Sequence, residues 1–195
     1  MLTCTLRPSA LYGERDGGML YNIMRNYRAG RRRWQIGDGK NEFSQTYAGN
    51  SADAHLLAAA KLLSEHKGAS DTSPSASSGK IAGEAILITD AYPVPYWDFG
   101  REVYRLAGDT TPIEDTWVVP KQAALWFAWG VEWFHWFRGD WPTLNRSMVR
   151  FTTMHRTYNI TKAKELLGYT PAVDWKEGVR RSVEWYIKDE KEKQQ

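Results

Sequence analysis

The sequence predicts an α/β fold with few core parallel strands and a helical region beside them. Two observations carry this reading. Glu84-Ala85-Ile86-Leu87-Ile88-Thr89 is a continuous apolar run of the kind that a parallel sheet buries on both faces. Leu2-Thr3-Cys4-Thr5-Leu6 is a Thr-rich apolar run of strand length, ended where Pro8 withdraws a backbone donor. Two parallel strands alone leave both outer edges unpaired, so the sheet reads as part of a larger one.

The remaining elements follow in chain order. The segment from Gly18 to Ala29 reads as an amphipathic helix with Gly30 as its stop. Trp34-Gln35-Ile36 is a brief strand before the Gly37-Asp38-Gly39 turn. A helix from Ser51 presents Ala52, His55, Leu56, Ala59, Leu62 and Leu63 at helical spacing. Residues 66–80 hold no large apolar side chain and read as a flexible surface loop. After the second core strand, Pro93-Val94-Pro95 leads into a helix from Tyr96 to Ala107, with Phe99, Val103 and Leu106 inward. A minor strand is expected around Val149. Thr161 to Leu167 forms a short helix closed by Gly168, and Asp174 opens a last helix carrying Val179, Val183, Tyr186 and Ile187. One portion over 1–188 and a fraying polar tail over 189–195 complete the predicted organisation.

Composition is that of a globular protein, with 42% apolar and 25% charged residues among 195. The 26 Lys and Arg against 23 Asp and Glu give +3, too little to indicate a nucleic-acid partner. One basic cluster stands out, Arg25, Arg28, Arg31, Arg32 and Arg33. It reads as cations favoured by a helix C-terminus, with a phosphate or lipid-headgroup contact as the alternative. The single Cys4 forms no internal disulfide and the four histidines show no metal-ligand spacing. Met1 leads straight into a strand, so no signal peptide is expected and a cytosol-facing compartment fits best.

Residues 123–137 contain seven aromatics in fifteen positions. As a helix this stretch would extend about 22 Å, short of the roughly 30 Å hydrocarbon core, and Glu132 and His135 interrupt it. It does not span a membrane. Trp126, Trp129 and Trp133 are candidates for a core, for an apolar substrate cavity, or for a bilayer surface where indoles are favoured.

Four motifs occur in a fixed order: Arg7-Pro8-Ser9-Ala10-Leu11-Tyr12-Gly13; Gly37-Asp38-Gly39; the run from Thr46-Tyr47-Ala48-Gly49-Asn50 to Leu57-Ala58-Ala59; and Lys162-Ala163-Lys164-Glu165-Leu166-Leu167-Gly168-Tyr169-Thr170-Pro171. This order resembles that of extended short-chain dehydrogenases. The third motif, with Glu84 to Phe99, is most similar to the 3β-hydroxysteroid dehydrogenase branch and its decarboxylating sterol-4α-carboxylate 3-dehydrogenases. The resemblance implies a Rossmann-like fold, NAD(P), and a sterol-like substrate oxidised at its 3β-hydroxyl. It implies further that Pro8, Ser9 and Ala10 lie beside the nicotinamide. Asn50, Asp53 and His55 fit either a helix start or a ligand role. Peripheral membrane contact at the cytoplasmic side of the endoplasmic reticulum and a homodimer are further expectations.

The same family carries a glycine-rich dinucleotide turn and a Tyr-x-x-x-Lys pair upstream of this loop. No Gly-x-Gly-x-x-Gly occurs in the 195 residues, and the one literal match, Tyr158 with Lys162, lies near the C-terminus and reads as a decoy. The chain is therefore expected to be a C-terminal portion with an incomplete cofactor site and no catalytic residue of its own. The alternatives are another extended dehydrogenase branch, acting on nucleotide sugars or flavonoids, and a non-catalytic sterol-binding or membrane-binding protein.

Overall fold

The computed structural model describes residues 1–68, 79–142 and 144–193. In chain order its elements are β1 (Thr5–Pro8), β2 (Ala10–Tyr12), α1 (Met19–Arg28), β3 (Trp34–Ile36), β4 (Glu42–Phe43), β5 (Gln45–Tyr47), α2 (Ala48–Gly68), β6 (Ala85–Ile88), β7 (Val94–Pro95), α3 (Tyr96–Leu106), β8 (Trp117–Val119), α4 (Lys121–Arg138), α5 (Arg146–Thr153), α6 (Thr161–Leu167) and α7 (Trp175–Lys193). They group into two compact units: 1–21, 44–93 and 157–195 form the first, and 22–43 with 94–156 the second.

In the first unit the two predicted core strands pair in parallel, with Leu6 opposite Ile86 and Pro8 opposite Ile88. The first strand lies further along the chain than expected and includes Pro8. Thr5 and Ser9 donate toward β6, to the carbonyls of Glu84 and Ile88. By the alternation of a parallel strand, the donor that Pro8 lacks falls on the opposite edge, so no ladder bond is lost. Cys4 sits just ahead of β1, half-buried against the core. Past Pro8 the chain bends at Ser9 and changes partner: β2 pairs in parallel with β5, placing Ala10 opposite Gln45 and Tyr12 opposite Tyr47. Neither β2 nor β5 was expected: each is three residues long, and each pairs only because the chain changes partner at Ser9.

Helix α2 packs on β1, β5 and α6 through a face other than the predicted one. Ser51, Ala54 and Ala58 are buried, with Leu62 partly so, while Leu56 and Leu63 are exposed. Alanines at these positions let the helix approach Ile86, Ile88, Ala163 and Leu167 closely, whereas leucines would hold it away. Residues 66–68 prolong α2, and residues 69–78 of the predicted loop lie outside the described residues. Helix α6 ends as predicted at Gly168, whose φ of 65° is left-handed. Helix α7 buries Val179, Val183 and Tyr186 and continues to Lys193, past the point where fraying was expected, with Lys193 paired to Asp189 and Lys188 to Glu192.

In the second unit β3 pairs in parallel with β8, and β4 antiparallel with β7. Helix α3 buries Phe99 and Val103 as expected. The strand expected around Val149 is instead helix α5, because Asn145 caps it by accepting from the Met148 amide at 2.8 Å. Val149 then packs with Ala124 and Ala128 of α4.

Gly178 opens α7 against the first unit's tyrosines: a Cβ there would lie 2.8 Å from the Tyr12 hydroxyl and 3.1 Å from the Tyr47 ring. Gly178→Ala is expected to lower stability by about 1–3 kcal/mol despite alanine's better helix propensity, since relief requires moving a hydrogen-bonded phenol. Urea unfolding of the two proteins measures this.

Candidate functional site

Strands β1 and β6 end at the same edge of their sheet, and the residues at and just beyond those ends, Pro8–Ala10 and Thr89–Ala91, form the candidate site. The edge beyond the carboxyl ends of parallel strands is where open α/β folds bind ligands. Ser9 is buried and fully engaged there. Its amide donates to the Ile88 carbonyl at 3.0 Å and to Thr46 Oγ1 at 3.1 Å, and its hydroxyl donates to the Ser44 carbonyl. Thr46 Oγ1 in turn donates to the Ile88 carbonyl at 3.0 Å. One threonine hydroxyl thus ties the bend at Ser9 to both neighbouring strands. Ala10 is half-buried and opens β2.

Opposite Ala10, Gln45 is 1% exposed, and among the described residues both Nε2 and Oε1 of its amide are buried without a hydrogen-bond partner. Register partners in a parallel pair send their side chains to the same face, so Gln45 and Ala10 share one. Burying an amide unpaired costs about 1–3 kcal/mol, which makes this position one that invites a partner.

Asp90, just after β6, is the charged centre of the site. Its carboxylate accepts from Tyr12 Oη at 2.9 Å, from the Tyr47 amide at 2.9 and 3.0 Å, and from Asn50 Nδ2 at 2.8 Å. Asn50 also donates to the Val173 carbonyl and accepts from the Val173 amide, so the same side chain holds the segment before α7. Burial pushes the Asp90 carboxyl above its ordinary value, against the opposing pull of these three hydrogen bonds. Tyr12 is driven well above an ordinary phenol, by burial first and the neighbouring Asp90 charge second. Tyr12 is therefore a fixed donor, never a base at neutral pH. Beside this network Ala91 adopts a left-handed φ of 71°, unusual for a residue with a Cβ. An open cleft of about 590 Å³ borders Asp90–Tyr92, Lys164 and residues 168–174.

Of the sequence candidates, Pro8, Ser9 and Ala10 lie together at this edge. Asn50 is a structural tie of the network, while Asp53 and His55 are exposed on α2, with His55 Nδ1 2.7 Å from the Ser51 carbonyl. Tyr158 and Lys162 do not share a helical face, since Tyr158 precedes α6 and Lys162 reaches Glu84 and the Ala85 carbonyl. Trp126, Trp129 and Trp133 lie on α4 in the other unit, 72%, 51% and 64% exposed, which removes the core reading for them. Asp90, Tyr47 and Gln45 were not singled out from the sequence. A carboxylate directly after a fully apolar strand was the available signal for Asp90.

The fold is the Rossmann-like fold of short-chain dehydrogenases. An epimerase from Methanothermobacter thermautotrophicus superposes with a TM-score of 0.61 at 14% identity over 98% of this chain and 45% of its own. The dTDP-glucose 4,6-dehydratase of Bacillus anthracis, solved with NAD, gives 0.56 at 18% identity over 95% of this chain and 45% of its own. The profile of the 3-beta hydroxysteroid dehydrogenase/isomerase family matches residues 1–118, and the chain belongs to that family. Among its relatives, the decarboxylating sterol-4-alpha-carboxylate 3-dehydrogenase of Saccharomyces cerevisiae is 34% identical over 94% of this chain and 49% of its own length. A 3beta-hydroxysteroid-dehydrogenase/decarboxylase of Arabidopsis thaliana is 31% identical over 94% and 40%. The chain thus spans about half the length of these relatives or less.

Replacing Asp90 separates its roles. Asp90→Ala, which leaves three donors without their acceptor, is expected to cost at least about 2 kcal/mol in urea unfolding, and Asp90→Asn less, since one oxygen remains. Because the folded carboxyl titrates above its unfolded value, its contribution is fullest below the unfolded pKa and declines as pH rises through the folded one. The stability difference between the parent and Asp90→Asn should therefore narrow with rising pH across that window.

Proposed function

We propose that this chain contributes the nicotinamide loop and the substrate-side region of an NAD(P)-dependent sterol dehydrogenase. The reaction would oxidise the 3β-hydroxyl of a sterol, with decarboxylation where the substrate carries a 4α-carboxylate, at a cytosol-facing site on or near the endoplasmic reticulum. The observation that carries the reading is the Pro8–Ala10 bend, held rigid at the carboxyl edge of the sheet in a chain of the 3-beta hydroxysteroid dehydrogenase/isomerase family. Bound NAD(P) would supply the hydride acceptor for sterol C3.

The residues present fit the nicotinamide end of that cofactor. Pro8 fixes the bend, and Ser9, whose polar atoms are spent on Ser44, Thr46 and Ile88, holds its position. Ala10 offers a small surface on which a flat ring can lie. Behind this surface Gln45, on the face shared with Ala10, keeps its amide buried and out of a ligand's reach. The phosphate-binding turn and the Tyr-x-x-x-Lys pair that would remove the hydroxyl proton are not among these residues. On this reading the 195-residue chain alone positions substrate and the nicotinamide end but turns nothing over.

Two measurements test it. Saturable quenching of tryptophan fluorescence is expected with a 4α-carboxysterol and not with UDP-galactose, and NADH formation is expected to be absent with either. Quenching by the nucleotide sugar alone would favour the epimerase-like branch, and turnover by the purified chain would overturn the assignment of catalysis elsewhere. Gln45→Leu should stabilise the ligand-free chain by about 1 kcal/mol, since it removes an amide buried at a loss. Denaturant titration checks this, and a loss of stability instead would mean that the amide is already satisfied.

A further inference from the structure

The positive charge of the second unit has a single source. Residues 22–43 carry 6 Lys and Arg against 2 Asp and Glu, whereas residues 94–156 balance at 7 against 7. From Gly17 to Gly37 the chain holds Arg25, Arg28, Arg31, Arg32 and Arg33, all exposed, with no lysine and no carboxylate. Elsewhere in the unit arginines are matched: Arg101 pairs with Asp98, Arg105 with Glu102, Arg138 with Asp140 and Arg146 with Glu132. Arg25, Arg31 and Arg33 have no ion pair among the described residues. The negative end of a helix favours Arg25 and Arg28 in the last turn of α1. It does not account for Arg31 and Arg33, which lie beyond the stop at Gly30.

The backbone holds these two side chains in place. Gly30, at a left-handed φ of 69°, leads directly from α1 into a single 3-10 turn, Arg31–Arg33. Arg32 anchors that turn: its Nε lies 3.2 Å from Asp109 Oδ1 and 3.3 Å from Thr111 Oγ1, and its guanidinium sits 5.9 Å from the centre of the Tyr27 ring. The same Asp109 oxygen also accepts from the Thr111 amide and hydroxyl, so the carboxylate that holds Arg32 is already shared. Successive residues of a 3-10 turn point about 120° apart, so an inward Arg32 sends Arg31 and Arg33 outward, about 4 Å apart along the axis. A guanidinium is a weakly hydrated fork whose donors match phosphate oxygens two at a time, which the point charge of a lysine does not. Two such forks on one anchored turn suit an anion with adjacent phosphates better than a lone carboxylate.

We propose that Arg31 and Arg33, with Arg25 from the last turn of α1, bind a soluble anion that carries two or more adjacent phosphates, of the nucleoside diphosphate, nucleoside triphosphate or oligophosphate kind. The proposal does not depend on the sterol reading, since its probe is inorganic tripolyphosphate. Calorimetric titration of the 195-residue chain should show saturable binding of tripolyphosphate, and binding of orthophosphate at least about tenfold weaker, because one phosphate engages fewer forks. Arg31→Glu with Arg33→Glu changes exposed side chains and should keep its near-ultraviolet dichroism while losing at least about tenfold in affinity. Lys188→Glu with Lys191→Glu makes the same change in net charge on α7 and should bind as the parent does. Equal loss in the two double variants would overturn the proposal, since net charge alone would then explain the attraction. So would a parent chain that tripolyphosphate does not saturate. If such a chain instead bound phosphatidylserine vesicles through Arg31 and Arg33, the arginines would belong to a lipid surface and the soluble ligand would be excluded.

Discussion

Three donors from three different elements converge on the Asp90 carboxylate, and the first unit is organised around that convergence. Tyr12 comes from β2, the Tyr47 amide from β5 and Asn50 from the first turn of α2. A buried carboxylate is tolerated only where hydrogen bonds replace its lost water, so the segment after β6, both short strands and α2 must keep one mutual geometry. Asn50 carries the constraint onward by clamping Val173, and α7 enters with Gly178 against Tyr12 and Tyr47, where no larger residue fits without moving them. The cost of burying a charge is recovered as specificity of arrangement, and a shift in any contributor leaves a donor unpaired.

The Pro8–Ala10 bend inherits its rigidity from this frame. Ser9 is a hinge between pairings, since the chain leaves β6 as its partner at Pro8 and joins β5 at Ala10. Such a change of partner exposes backbone groups, and Thr46 Oγ1 fills the gap by bonding both Ser9 and Ile88. The sheet edge around Ser9 is thereby held in one geometry. Gln45 is the local exception, an amide kept dry and unpaired beside an otherwise satisfied network.

The second unit solves a different problem with α4. A helix that is apolar nearly all round can turn either side inward, and here the choice goes to its small side. Ala124 and Ala128 let α5 approach until Val149 fills the space between, which a tryptophan at either position would prevent. Close packing on the small face leaves the bulky residues outside.

The strands Ala85–Ile88 and Trp34–Ile36, helices α1, α3, α6 and α7, and the glycine that stops α6 could all be read from the chain, because hydrophobic period, caps and glycine stops act over a few residues. So could the loop Pro8–Ala10, through the order of four motifs. The three-residue strands β2, β5 and β8, the helical state of Val149, and the inward faces of α2 and α4 could not, since each is decided by what lies opposite. Likewise Asp90 has no local signature beyond its place after an apolar strand. Its partners stand at positions 12, 47 and 50. By itself the sequence determined the family and the main helices, all carried by short-range pattern. Tertiary structure alone decided which carboxylate is buried, which amide is left unpaired and which side of the tryptophan-rich helix faces outward, because each follows from contacts between residues far apart in the chain.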